Sequence, residues 1–163
     1  MIFNVLLEGA VLCLIVLLGC TVGIANGPQG LVCLYEKDVQ ARTVSLGLMT
    51  GKGIRRNANL FRLCVLLPGI VFSVAAVYGI NGARGFFEGF WQLAVIWLLE
   101  GLFDRLFIDF YWVGKTKAWV IPGTEDLMPY ICGKTLAGKW IVTLVGYPLL
   151  SAAIAGLMAV IIR

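Results

Sequence analysis

Residues 2–25 read IFNVLLEGAVLCLIVLLGCTVGIA, an apolar run whose one ionisable side chain is Glu8. A helix needs about 20 such residues to cross the hydrocarbon core of a bilayer, so this run is long enough. It is also longer than the apolar core of a typical secretory signal peptide, and no basic residue precedes it. We therefore interpret residues 2–25 as a retained transmembrane helix.

Three further runs have the length of a membrane span, at residues 60–80, 86–112 and 140–162. Neither 63–80 nor 140–162 contains a charged side chain. Across the chain 60% of residues are hydrophobic and only 13% are charged, whereas a soluble domain carries about a quarter charged residues. The sequence therefore predicts an all-α integral membrane four-helix bundle that forms one transmembrane domain over residues 1–163.

The connecting segments differ in charge, and this difference predicts the orientation. Residues 26–59 and 113–139 are rich in Lys and Arg, whereas the short connection between the second and third runs has only Arg84, which could pair with Glu8. The basic residues in and beside the two rich segments are Lys37, Arg42, Lys52, Arg55, Arg56, Arg62, Lys115, Lys117, Lys134 and Lys139. Cytoplasmic loops are enriched in Lys and Arg, so we expect both segments in the cytoplasm and both termini outside the plasma (inner) membrane.

Each cytoplasmic segment is expected to contain a short interfacial helix. In the first, apolar side chains fall at helical spacing and fit a helix at the membrane surface, an extension of the first helix, or a helix packed on the protein itself. These side chains are Tyr35, Val39, Leu46 and Met49. Gly51-Lys52-Gly53 is interpreted as the break before the second membrane helix. The predicted contacts with anionic lipid headgroups are Lys37, Arg42, Arg55 and Arg56.

The composition excludes several kinds of chemistry. The chain has no histidine, which removes histidine acid–base catalysis, Ser-His-Asp triads and histidine-ligated haem. None of the five cysteines forms a C-x-x-C pair, and the Gly-Lys-Thr sequences at 114–116 and 133–135 lack the earlier glycine of a phosphate-binding loop. We expect no catalytic residue set, no cofactor and no nucleic-acid partner, and the sequence leaves any metal unknown.

The third run is unusual because residues 97–112, WLLEGLFDRLFIDFYW, contain several ionisable side chains. Each such group costs a few kcal/mol in hydrocarbon, so each needs a purpose. Residues four apart share one face of an α-helix, which puts Glu100 beside Asp104 and pairs Arg105 with Asp109 on another face. We therefore predict Glu100 and Asp104 as ligand-binding acids without a basic partner, and Arg105 and Asp109 as a structural ion pair or gate.

Three functions stay open from the sequence. The protein could bind or transport a proton, a cation or a cationic small molecule at Glu100 and Asp104. It could instead be a non-catalytic membrane subunit whose basic cytoplasmic face binds anionic lipid or a partner protein. It could also be a metal-assisted membrane enzyme acting on a lipid-borne substrate, although the sequence favours a non-enzymatic function. Besides the lipid bilayer, the expected partners are a second copy of the chain or another membrane protein.

Overall fold

The structure is a computed structural model that describes residues 1–162, and this part of the chain is helical without a β-strand. Its helices are α1 (Ile2–Ile24), α2 (Lys37–Ser45), α3 (Gly51–Ile80), α4 (Gly85–Phe103, continued as a π-helix over Asp104–Val113) and α5 (Gly133–Ile161). Short 3₁₀ turns lie at Pro28–Leu34, Lys117–Trp119 and Glu125–Leu127. The molecule is therefore four long helices and two connecting segments with short helical turns.

Helices α1, α3 and α5 are each long and apolar enough to cross a membrane. Large aliphatic side chains stay exposed along all three, as at Leu18, Leu63 and Leu149. A soluble monomer rarely exposes a continuous apolar surface of this extent. This surface suits lipid rather than water, as in an integral membrane protein.

Helix α4 lies between α1 and α5 and packs extensively against both, while α3 packs mainly against α1. Two glycines permit close approaches of α1 and α5 to α4. A Cβ atom added at Gly9 would lie 2.6 Å from Leu99 Cδ2, and one added at Gly101 would lie 2.7 Å from Thr143 Cγ2. Both distances are far below the optimal separation of about 3.5–4.0 Å between carbon atoms. In contrast, α3 and α5 share no extensive contact, so a gap separates them.

The two helices that contain an internal proline each have a π-helical turn just before it. A π-helical turn over Arg62–Leu66 precedes Pro68 in α3, and a second over Val142–Gly146 precedes Pro148 in α5. Proline lacks an N–H and its ring crowds the carbonyl group four residues earlier. A π turn shifts the hydrogen bonds to residues five apart. Both helices therefore continue through the proline instead of ending there.

The segments 25–50 and 114–132 pack together at one end of the long helices, and we call them the cap. The ring of Tyr35 lies 5.1 Å from that of Tyr130 and 6.5 Å from that of Trp119, measured between centroids. The Glu36 backbone N–H donates to Tyr130 O at 3.1 Å, and the Glu36 carboxylate accepts from the Thr135 N–H in the first turn of α5. The cap is thus a folded unit attached to the helices.

The structure decides two expectations about the first connecting segment, namely where its helix packs and whether residues 51–53 break the chain. Helix α2 packs on the protein itself, since Val39 and Thr43 are buried and the helix contacts the 3₁₀ turn before it. The break expected at Gly51-Lys52-Gly53 is wrong, because these residues are the first turn of α3. The Thr50 hydroxyl caps that turn by accepting a hydrogen bond from Gly53 N at 3.0 Å, which offsets the poor helix propensity of glycine.

Replacing Tyr130 with Phe tests the hydrogen bonds inside the cap. The Tyr130 hydroxyl accepts from Ile121 N at 2.9 Å and bonds to Thr124 Oγ1 at 2.7 Å, and all three residues are fully buried. We expect Tyr130→Phe to lower the free energy of unfolding by about 1–3 kcal/mol, because the Ile121 N–H loses its acceptor. Thermal unfolding in detergent, followed by circular dichroism, measures the effect. Tyr111→Phe is the matched control because Tyr111 is exposed, and equal unfolding temperatures for both variants would contradict the assignment.

Candidate functional site

Four ionisable side chains meet where α4 and α5 approach the cap, and we call them the charge cluster: Asp104, Arg105, Asp109 and Lys139. Asp109 is central, since its Oδ2 lies 3.0 Å from Arg105 Nη1 and its Oδ1 accepts a hydrogen bond from Lys139 Nζ at 2.7 Å. Arg105 also forms an ion pair with Asp104. Arg105 and Asp109 are buried, and two cations balance two anions. The cluster is therefore neutral as a whole, which lowers the free-energy cost of placing it inside the protein.

The π-helical part of α4 explains how the cluster assembles. The sequence places Asp104 beside Glu100 on the assumption of an α-helix, but hydrogen bonds in a π-helix join residues five apart. Asp104 and Asp109 are five apart, so the wider helix brings both to the side on which Arg105 reaches them. The expectation that Asp104 has no basic partner is therefore wrong. Lys139 comes from α5 and is absent from the predicted site, because no sequence spacing relates it to α4.

Glu100 lies on α4 farther from the cap than the charge cluster. It is buried, and no cation forms an ion pair with it among residues 1–162. The next residue, Gly101, lets α5 approach so closely that a Cβ there would lie 2.8 Å from Tyr147 Cε2. Glu100 thus lies beside a close contact between α4 and α5, separate from the ion pairs near the cap.

A cavity of about 370 Å³ opens beside the charge cluster. Its lining residues come from α3, α4, α5 and the cap, with Cys20 from α1. The lining residues are Cys20, Cys33, Leu34, Tyr35, Ala58, Phe61, Arg62, Leu66, Asp104, Arg105, Ile108, Asp109, Val113, Trp119, Ile131, Thr135, Gly138, Lys139, Val142, Thr143 and Tyr147. Most of them are apolar, and the five charged residues among them lie on α3, α4 and α5.

Three hydrogen-bond donors on the cavity wall have no acceptor within residues 1–162. They are the hydroxyl of Tyr35, Nε1 of Trp119 and Nε of Arg105, each on a side chain that is more than nine-tenths buried. Burial raises the pKa of Tyr35 above its usual value, so this hydroxyl stays protonated and able to donate. A buried donor without an acceptor costs about 1–3 kcal/mol. The acceptor Asp109 Oδ2, on the same cavity, also has no hydrogen-bond partner among these residues, although it lies 3.0 Å from Arg105 Nη1. The three donors suit a ligand with acceptor oxygens.

The ionic side chains of the cavity wall favour an anion. Three are cationic (Arg62, Arg105 and Lys139) and two are anionic (Asp104 and Asp109), which leaves one positive charge in excess. Arg62 supplies that excess: it is exposed and donates to Asn59 Oδ1 at 3.0 Å, and it forms no ion pair within the described part of the chain. Its guanidinium group retains donors for a carboxylate or phosphate.

The predicted lipid-contacting residues lie outside this cavity. Lys37, Arg55 and Arg56 are exposed on the cap and on the first turns of α3. Arg42 is also exposed, but it lies 3.5 Å from Asp126 Oδ2 in the other segment of the cap. These positions form a basic surface around the cap rather than one site.

A second polar contact, at the far end of the helices, was missed by the sequence analysis. The Asn81 side-chain amide donates to Glu8 Oε2 and to Gln92 Oε1, both at 2.9 Å, and so connects α1, the end of α3 and α4. Arg84 is not the partner of Glu8 as expected, and its backbone N–H instead donates to Glu88. Neutral amides in an apolar run carry no charge pattern that would have revealed this contact.

Among residues 1–162, no three Cys, Asp or Glu side chains form a group that could hold a metal ion. No protein family model, curated protein or solved structure matches this chain.

Replacing Asp109 with Asn tests the charge cluster. Asn keeps the size of the side chain, but Lys139 then has no ion-pair partner among residues 1–162 and Arg105 keeps only Asp104. We therefore expect a loss of about 3–5 kcal/mol in the free energy of unfolding. The exposed pair at Asp126 provides the control, because Asp126→Asn should cost at most about 1 kcal/mol. Unfolding in a detergent titration compares them.

Adding Lys139→Met to Asp109→Asn removes the unpaired ammonium group and should restore part of the lost stability. The double variant is measured in the same titration. If Asp109→Asn were no more destabilising than Asp126→Asn, the cluster would not be held together by Asp109.

Proposed function

We propose that this chain is an integral membrane protein with four spanning helices, which binds an anionic ligand in the cavity beside the charge cluster. The observation that carries the proposal is the set of three buried donors without acceptors on the cavity wall: Tyr35, Trp119 and Arg105. Because Arg62 has no ion-pair partner among the described residues, its positive charge favours a negatively charged ligand. A carboxylate or phosphate oxygen would satisfy several of these donors at once.

The proposal includes α4 as the fourth span, in a four-helix bundle. Its support is position: α4 packs between α1 and α5, each of which is long and apolar enough to cross a bilayer. The ionisable side chains of its π-helical part are acceptable there because the charge cluster is neutral and lies at the end of the helix nearest the cap.

We further propose that the cap is cytoplasmic, which places both termini outside the plasma (inner) membrane. The basic residues Lys37, Lys52, Arg55, Arg56, Lys115, Lys117 and Lys134 lie in the cap or in the first turns of α3 and α5. Such a concentration marks the cytoplasmic side of most membrane proteins. The exposed members Lys37, Arg55 and Arg56 would then lie near anionic headgroups of the inner leaflet.

A proton- or cation-binding function at Glu100 is a second proposal. Its support is that Glu100 is buried without an ion-pair partner among the described residues. Asp104 contributes less to this function than the sequence predicts, because Arg105 already neutralises it. The anionic ligand has the stronger support. Among residues 1–162, three of the four buried atoms without a hydrogen-bond partner on cavity-lining residues are donors, and the fourth, the acceptor Asp109 Oδ2, already lies 3.0 Å from Arg105 Nη1.

Anion binding can be measured as a rise in unfolding temperature in neutral detergent, with inorganic phosphate and sn-glycerol 3-phosphate as probes. We expect Tyr35→Phe to weaken binding about tenfold or more, since one hydrogen bond to a charged group is lost. It should not destabilise the ligand-free protein, because the Tyr35 hydroxyl has no hydrogen-bond partner among residues 1–162 and removing a buried donor without an acceptor relieves its cost. Arg62→Gln should weaken binding to a similar extent.

Lys117→Gln is the control for Arg62→Gln, since Lys117 is exposed and lies outside the cavity wall. It should bind the probes like the unmodified protein. Absence of any anion-dependent stabilisation, or equal stabilisation of the Tyr35, Arg62 and Lys117 variants, would refute the proposed function.

A further inference from the structure

We infer that the ligand of this cavity is an amphiphile with a phosphate headgroup, and that it enters sideways from the bilayer through the gap between α3 and α5. This inference rests on the proposed function, because it specifies the ligand of the same cavity. In this inference the headgroup contacts the polar and charged lining residues, and at least one acyl chain contacts the apolar lining residues.

The gap between α3 and α5 provides the route. Leu66 on α3 and Val142 on α5 line the cavity from its two sides and are 46% and 52% exposed. The two helices share no extensive contact, although each packs closely on α1 or α4. Both helices are of membrane-spanning length and composition, so a bilayer around them would bring hydrocarbon against the surface on which Leu66 and Val142 are exposed. The cavity mouth would then face acyl chains.

The composition of the cavity wall fits a molecule of two parts. Its apolar side includes Phe61, Leu66, Ile108 and Val142, none of which could interact specifically with a small hydrophilic anion. Every buried methylene group contributes roughly a fourfold gain in affinity, so a chain along this wall would dominate the binding.

The polar groups that would contact a headgroup come from three parts of the structure. Tyr35 and Trp119 belong to the cap, Arg105 to α4 and Arg62 to α3, and all four residues line the cavity. A phosphate monoester brings several acceptor oxygens and the negative charge that complements the excess cation. A neutral headgroup would leave that charge unmatched, and a fatty alcohol would supply too few acceptors.

The experiment is a titration of the delipidated full chain in neutral detergent, followed by native mass spectrometry. The probes are dioleoyl phosphatidic acid, which has both parts, sn-glycerol 3-phosphate, which has only the headgroup, and dioleoylglycerol, which has only the chains. We expect one phosphatidic acid per chain, bound at least about tenfold more tightly than either partial molecule. Tyr35→Phe and Arg62→Gln should each weaken its binding about tenfold or more.

A second arm tests the route of entry. The double variant Leu66→Trp/Val142→Trp narrows the gap and should reduce the fraction of chains that acquire phosphatidic acid in a fixed time. Leu63→Trp/Leu144→Trp is the matched control, because both residues are exposed on the same helices but do not line the cavity. The control should load like the unmodified protein.

The outcomes separate this inference from the proposed function. Glycerol phosphate binding as tightly as phosphatidic acid would overturn the inference and leave an anion site that is filled from water. Binding of several phosphatidic acid molecules that is insensitive to Tyr35→Phe and Arg62→Gln would overturn it as non-specific lipid adhesion. Equal loading of the two tryptophan double variants would overturn the sideways route. Failure of every phosphate probe to bind would refute the proposed function as well.

Discussion

The bridge from Asp109 to both Arg105 and Lys139 is the interaction on which the site depends. Charges taken out of water cost several kcal/mol each unless opposite charges compensate them in good geometry. Asp109 joins a cation of its own helix to a cation of α5, at 3.0 Å and 2.7 Å. One carboxylate therefore neutralises the cluster and also holds α4 and α5 together at the end nearest the cap.

The position of the cavity follows from how the helices pack. Gly101 brings α5 against α4, Gly9 brings α1 against α4, and α3 packs mainly on α1, so α3 and α5 are left apart. The cap closes this space at one end with Tyr35 and Trp119, whose polar atoms have no acceptor within residues 1–162. Because α1 and α5 both pack closely on α4 while α3 and α5 do not pack on each other, the partly polar cavity is left between α3 and α5.

The apolar runs are sufficient to predict that these stretches are helical, as residues 2–25 show. They do not predict where the helices begin, because α3 and α5 start at Gly51 and Gly133, before the expected residues 60 and 140. The ionic site was only partly predictable. Arg105 and Asp109 lie four apart and were paired from sequence, whereas Asp104 was assigned to the wrong neighbour because the α-helical period fails in the π-helical part of α4. Lys139 and Tyr35 were missed, since their position depends on the packing of α5 and the cap rather than on local spacing.

The central claim, that donors without partners beside the cavity bind the phosphate group of an amphiphile, can be tested in a bilayer by solid-state NMR. The protein would carry ¹⁵N-labelled tryptophan indoles in vesicles that contain phosphatidic acid, and the dipolar coupling between ¹⁵N and ³¹P would be measured. The account predicts one indole signal, absent from the Trp119→Phe variant, that is dephased by a phosphorus atom within about 5 Å, as a hydrogen bond requires. A Trp119 signal without any phosphorus coupling, in vesicles where the protein is folded, would contradict it.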